Sequence, residues 1–270
     1  MVDATARSGR RGWFAVLAVY RQPRLVAVLL MGFSSGLPLA LTFGTLSYWL
    51  ADLGVSLTAI GLFGLVRASY SLKFLWAPLI DRVPVPFLTR RLGRRRSWAL
   101  TIQFLLALAI LGLGMTDPKT DPATTALAAV IVAFFSASQD IVIDAYRIEL
   151  LLPEEQGAGA AATQWGYRFG MLASGAGALY AASLGGWPVA YAIMAALMSV
   201  GMVTVWLTPE PGGIAPPEKL PGASAGERIA AWLRGAVIAP FADMLRRNGT
   251  TQLLLMSDSF PLLANWRLGE

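Results

Sequence analysis

Six stretches of this chain stay apolar for long enough to cross a bilayer, at residues 25–50, 57–80, 97–115, 122–150, 160–184 and 187–207. A hydrocarbon core of roughly 30 Å takes about 20 helical residues, so each stretch predicts a transmembrane helix. The connections between them are short, and their basic residues alternate. Arg7, Arg10, Arg11, Arg21 and Arg24 precede the first span, whereas Asp52 and no Lys or Arg follow it. Arg82, Arg90, Arg91, Arg94, Arg95 and Arg96 follow the second span, Lys119 alone follows the third, and Gly185-Gly186 joins the fifth to the sixth. Arginine-rich connections stay in the cytoplasm, which places the N-terminus and the end of the sixth span on that side. Residues 1–24 then form a cytoplasmic tail, with no small-residue cleavage site after an apolar core to mark a signal peptide.

Beyond Leu207 the pattern breaks. Residues 208–248 open on a stretch rich in proline and glycine, Pro209-Glu-Pro-Gly-Gly-Ile-Ala-Pro-Pro217, which predicts a cytoplasmic linker. Within it, residues 227–247 pattern as a basic amphipathic helix for the cytoplasmic leaflet. Residues 249–270 start another apolar run at Leu253 and leave it at Ser257-Asp258-Ser259. They are expected to be a truncated or frame-shifted start of a seventh span. The predicted architecture is all-α integral membrane: a six-helix bundle over 25–207, a linker, and an incomplete seventh span.

Composition narrows the chemistry. The chain has 270 residues, 56% of them hydrophobic and only 14% charged, too few charges to cover a soluble globule. A net charge of +6 alone suits a nucleic-acid partner, but the arginines sit in blocks between apolar stretches, which fits membrane topology instead. The sequence has no Cys and no His. That excludes disulfides, thiol nucleophiles, Ser-His-Asp triads and the usual zinc sites, so neither a cofactor, a metal nor an enzymatic activity is expected. Glycine pairs at intervals of four, Gly32 and Gly36, Gly166 and Gly170, are expected to serve close helix packing and no chemistry.

Charges inside the spans carry the functional signal, because each costs roughly 2.5–3.5 kcal/mol near the bilayer centre unless it faces a bundle interior, a partner or water. In the fourth span Ser136, Asp140, Asp144 and Arg147 step by four, four and three, which puts them on one helix face. Asp144 and Arg147 suit an interfacial salt bridge. Asp140 lies deeper without a partner on its own helix. It is the first proton-coupling candidate, with Asp144 the second, since leaving water favours a protonated carboxylate. In the second span Arg67, Tyr70, Lys73 and Trp76 form a stripe, and in the fifth Gln164, Trp165 and Arg168 give another. With Gln139, these are the candidates for binding an anionic ligand that also offers ring faces. A charge ladder that only holds helices together accounts for the same pattern.

Several strings occur together and in order: Arg21-Gln-Pro-Arg24, Gly36-Leu-Pro-Leu-Ala-Leu-Thr42, Lys73-Phe-Leu-Trp-Ala-Pro-Leu-Ile-Asp81-Arg82, Ser136-Ala-Ser-Gln-Asp-Ile-Val-Ile-Asp-Ala145, Gly157-Ala-Gly-Ala160 and Gly166-Tyr-Arg-Phe-Gly-Met171. Asp81-Arg82 followed by Gly93-Arg94-Arg95-Arg96 resembles the loop between the second and third helices of the major facilitator superfamily, with a longer insert. Over residues 20–250 the strings together resemble the N-terminal half of the AmpG muropeptide permease family of that superfamily. The resemblance implies a proton symporter of the bacterial inner membrane that imports anhydromuropeptides for peptidoglycan recycling and is tied through them to β-lactamase induction. It implies muropeptide, protons and membrane lipid as partners, and a cytoplasmic gate at Asp81, Arg82, Gly93, Arg94 and Arg95. A complete member has at least six further helices. The chain is therefore expected to be a half that is inactive alone, with the C-terminal half a covalent or separate partner. Two other readings stay open: a carrier of the same superfamily for another cargo such as acyl-CoA or a pterin, and a non-transporting membrane scaffold subunit.

Overall fold

The computed structural model describes residues 21–55 and 64–212. The expected tail over residues 1–20, the amphipathic helix over 227–247 and the unfinished span over 249–270 lie outside the described residues. The chain divides into two compact units, residues 1–73 with 83–213 and residues 74–82 with 214–270.

In the first unit, helix α1 (Pro23–Ala40) opens on a proline, whose missing N–H costs nothing at a helix start. Pro38, inside α1, removes a donor that the helix does need. The ladder answers with a π-helical turn at Leu41–Thr45 before α2 (Leu46–Asp52) resumes. The Thr42 hydroxyl donates to the Pro38 carbonyl at 2.8 Å within this irregular stretch. Helix α3 (Gly64–Ser71) runs into a 3-10 turn at Lys73–Leu75. After it, α5 (Leu88–Leu92) precedes α6 (Arg94–Gly114), α7 (Pro122–Leu150), α8 (Gln156–Leu172), α9 (Ala178–Leu197) and α10 (Ser199–Leu207). Helix α4 (Ala77–Arg82) falls in the second unit, where the Leu79 and Ile80 amides donate to the Trp76 carbonyl.

Among the described residues, four helical runs are long and apolar enough to cross a membrane: Pro23–Asp52, Arg94–Gly114, Pro122–Leu150 and Pro153–Leu207. The last is a 55-residue run. It breaks at Gly186, whose φ of 79° turns the chain ahead of Pro188 and makes two legs, the expected fifth and sixth spans. The described residues are helical and contain no strand. The second expected span differs from its pattern. Residues 57–63 are outside the described set, and 64–82 form two short helices around a 3-10 turn instead of one continuous helix. Pro78, which has no N–H for a carbonyl four residues earlier, explains the restart at Ala77.

Asp121 caps α7 by accepting from the Thr124 hydroxyl at 2.5 Å and from the Thr124 N–H at 3.0 Å, and these bonds hold its carboxyl below the ordinary carboxylate range. That cap is present at neutral pH and is lost as pH falls through the lowered value. The core gathers Leu37, Leu41, Leu106, Ile110, Val132, Tyr191 and Met194, while Leu108, Leu127, Ile131 and Val203 point outward. In a bilayer those outward residues meet lipid as apolar as themselves, so close backbone packing has to hold the helices together.

The closest packing is between α1 and α8. A methyl group on Gly32 would strike the Thr163 carbonyl oxygen, and one on Gly36 the Tyr167 carbonyl oxygen. From the other side, Gly166 abuts the Leu29 carbonyl oxygen and Gly170 that of Phe33. We expect Gly166→Leu to push the helices apart and cost on the order of 3 kcal/mol, read as a lower thermal midpoint of the solubilised protein. Gly175→Ala, with open space around Gly175, should leave the midpoint unchanged. Equal midpoints for the two variants would contradict the interlock.

Candidate functional site

The glycine interlock decides what meets Asp140. Ser35 precedes Gly36 on α1, and Gly36 lies against the backbone of Tyr167 on α8. Asp140, half-buried on α7, interacts with the Ser35 hydroxyl and with the charges of Lys73 and Asp144. Tyr167 and Tyr70 both feel the Asp140 charge. The partner that the fourth span alone does not offer is therefore supplied by α1 and by the 3-10 turn. Gln139 is fully buried, with its Nε2 3.5 Å from the Ser35 oxygen. Its Oε1 has no hydrogen-bond partner among the described residues.

A second layer continues from this pair. The Tyr70 hydroxyl donates to the Ser136 oxygen at 2.9 Å and also interacts with Thr42 in the π-helical turn. Its ring sits 5.7 Å from that of Phe43, and the Arg67 guanidinium lies 5.7 Å over the same Phe43 ring. Ser35, Thr42, Tyr70, Ser136, Gln139, Lys73 and Asp140 thus form one polar track through an apolar bundle. Such a track can hold a proton on a carboxylate or meet an anion with an ammonium group.

Other sequence candidates fall elsewhere. Asp144 is exposed and pairs with Arg147 at 3.7 Å, the interfacial bridge its spacing predicts. Gln164, Trp165 and Arg168 stand on an exposed face of α8, with the Trp165 and Phe169 rings 6.0 Å apart. Arg168 touches the Tyr167 side electrostatically but is not the enclosed cation its place in the fifth span predicts. The first-unit surface of α8 is open there, and helix periodicity by itself does not say which faces of a bundle are covered. Trp76, Asp81 and Arg82 belong to the second unit, on α4 and just before it.

The remaining gate candidates, Gly93, Arg94 and Arg95, open α6, and the structure adds two carboxylates to them that sequence reasoning passed over. Gly93 takes a φ of 87°, and the N–H groups of Arg95 and Arg96 donate to Oε1 and Oε2 of Glu210 at 2.8 and 2.9 Å. In return the Arg96 guanidinium donates to the carbonyls of Val205 and Trp206 at 3.2 and 2.6 Å, at the end of α10. Each helix end is capped by the other's chain, and each cap opposes the local dipole. Arg95 turns inward to Glu149 of α7 at 2.6 Å, with both side chains nearly buried. The Tyr146 hydroxyl donates to the Pro209 carbonyl at 2.7 Å. The sequence signal for Glu210 was its place directly after the sixth span, between two prolines. For Ser35 it was a hydroxyl inside an otherwise chargeless first span.

Comparison with known proteins joins these features to a lineage. Over 255 residues, 94% of its length, the chain is 44% identical to the anhydromuropeptide permease of Escherichia coli K12. Over 249 residues, 92% of its length, it is 33% identical to putative transporter AmpG 4 of Rickettsia felis. The chain is a homologue of the AmpG permeases. Residues 24–121 also match the family described as acetyl-coenzyme A transporter 1. The AmpG homologue spans about half the length of the curated relatives it matches, 48% and 58% of the two named. It is a multi-pass membrane protein, and these two relatives are named as a permease and a putative transporter.

The Arg95–Glu149 pair gives this subsection its test. Removing one charge of a buried ion pair costs up to about 3–5 kcal/mol, and Arg95 keeps other interactions, so Glu149→Gln should destabilise the AmpG homologue by no more than that order. Arg95→Met with Glu149→Leu should recover most of the loss in thermal midpoint. A Glu149→Gln protein as stable as wild type would show that the pair contributes nothing.

Proposed function

We propose that this chain is the N-terminal half of a proton-coupled carrier that imports anhydromuropeptides across the bacterial inner membrane for peptidoglycan recycling. The observation that carries the reading is 44% identity along 94% of the chain to a protein named anhydromuropeptide permease. The polar track is consistent with it. Asp140 is the proton-carrying carboxylate, held by Ser35 and opposed by Lys73, and Asp144 is a secondary one nearer the surface. Lys73, Arg67 and Arg168 meet the carboxylates of the cargo, while Tyr70, Gln139, Gln164 and Trp165 offer ring faces and hydrogen bonds to its sugar. Gly93, Arg94 and Arg95 belong to the cytoplasmic gate, to which we add Glu210. The N-terminus is cytoplasmic, on the side where the arginine-rich connections lie. In a two-bundle carrier the cargo sits between halves, so this half alone moves nothing.

The match of residues 24–121 to an acetyl-coenzyme A transporter family supports a second reading, carriage of an acyl-CoA by the same track. Uptake separates the two. The chain, alone and joined to the C-terminal half of an AmpG relative, is expressed in a strain lacking its own permease and given labelled anhydromuropeptide or labelled acetyl-CoA. We expect no uptake by the chain alone and muropeptide uptake by the joined protein. Asp140→Asn should abolish accumulation against a gradient while sparing exchange of cargo for cargo, and Lys73→Ala should raise KM by about tenfold. Accumulation by Asp140→Asn at the wild-type level would remove Asp140 from proton coupling. Uptake of acetyl-CoA alone would favour the second reading.

A further inference from the structure

The first turn of α1 and the last turn of α10 enclose a groove of about 440 Å³ that the polar track does not reach. Arg21 and Arg24 stand at its mouth, and Val26, Ala27, Thr204 and Leu207 line its depth. We infer that this groove binds one acidic phospholipid, with the phosphodiester between Arg21 and Arg24 and an acyl chain along Val26, Ala27 and Leu207.

Charge comes first. Both arginines are exposed, and neither makes a hydrogen bond or ion pair among the described residues. Among the described residues no carboxylate lines the groove. The first turn of α1 contains no acidic residue, and no side chain caps it at Gln22, so its positive end is uncompensated as well. Depth agrees. Pro23 begins the first span, so Arg21 and Arg24 sit at the level where lipid phosphates lie, whichever face of the membrane this is. The interior of the groove suits hydrocarbon. Thr204 and its neighbour Thr208 donate their hydroxyls to the carbonyls of Val200 and Thr204 on their own helix, at 2.6 and 2.7 Å. Those hydroxyl protons are already used, and no unsatisfied donor is left to demand a polar occupant.

The competing occupant is the chain's own residues 1–20. That segment carries Arg7, Arg10 and Arg11 against Asp3 alone, the same sign of charge as the groove mouth. A lipid phosphate complements the two guanidinium groups, and an arginine-rich segment repels them.

The test uses the full chain in nanodiscs of equal parts DOPC and DOPG, released into detergent for native mass spectrometry. We expect one retained DOPG in preference to DOPC. Arg21→Gln with Arg24→Gln should lower that retention by about tenfold. Val26→Trp should do the same by filling the groove with the charges intact. Arg90→Gln with Arg91→Gln, exposed on α5, removes as much charge and should change nothing. Helicity by circular dichroism shows that each variant is folded. The inference is overturned by unchanged DOPG retention in either groove variant, by an equal loss in the α5 variant, or by equal retention of DOPC and DOPG. It is also overturned if deletion of residues 1–19 raises retention several-fold, which would assign the groove to that segment.

Discussion

Four glycines, two on α1 and two on α8, let two helix backbones touch where any side chain would hold them apart. Inside a bilayer there is no water to drive apolar faces together, so contact at this distance is the main source of helix–helix attraction. The rest of the first unit is registered against this pair. Because Gly36 meets the Tyr167 backbone, Ser35 next to it is carried to the side of α1 that faces α7, within reach of Asp140. The polar track therefore depends on residues that make no polar contact themselves.

At the arginine-rich end a different economy holds. The helix ends that gather there would leave unpaired N–H and carbonyl groups at the membrane boundary. Glu210 and Arg96 close them reciprocally, and the Arg95–Glu149 pair ties α6 to α7 beneath them. The stretch after the sixth span is thereby joined to the loop before the third, two segments more than one hundred residues apart in sequence. A change of state that swings α10 away from α6 has to break four hydrogen bonds between charged and backbone groups.

The spans were legible because a bilayer imposes a length and a composition that local sequence must satisfy by itself. The fourth span occupies the residues its apolar run marks out, 122–150. The fifth and sixth meet at the two glycines where the pattern breaks, with Gly186 in a positive φ. The second span was the least faithful to its pattern. Hydropathy averages over Pro78 and Lys73, whereas the backbone ladder registers a single missing donor. Ser136, Asp140 and Asp144 share one unbroken helix, as their spacing requires, and the neighbours that this helix does not offer Asp140 come from α1 and the 3-10 turn, which a helical wheel does not contain.

By itself the sequence determined that the chain crosses a membrane several times, where most crossings lie, and which connections carry the arginines. Each of these follows from the cost of placing a residue in hydrocarbon, a property of the residue and its near neighbours. Only the tertiary structure decided that Ser35 and Lys73 attend Asp140, that Arg168 stands on an open face, and that Glu210 caps α6. Those are relations between helices. They are set by which small residues allow two backbones to close, and that closeness is absent from any one segment.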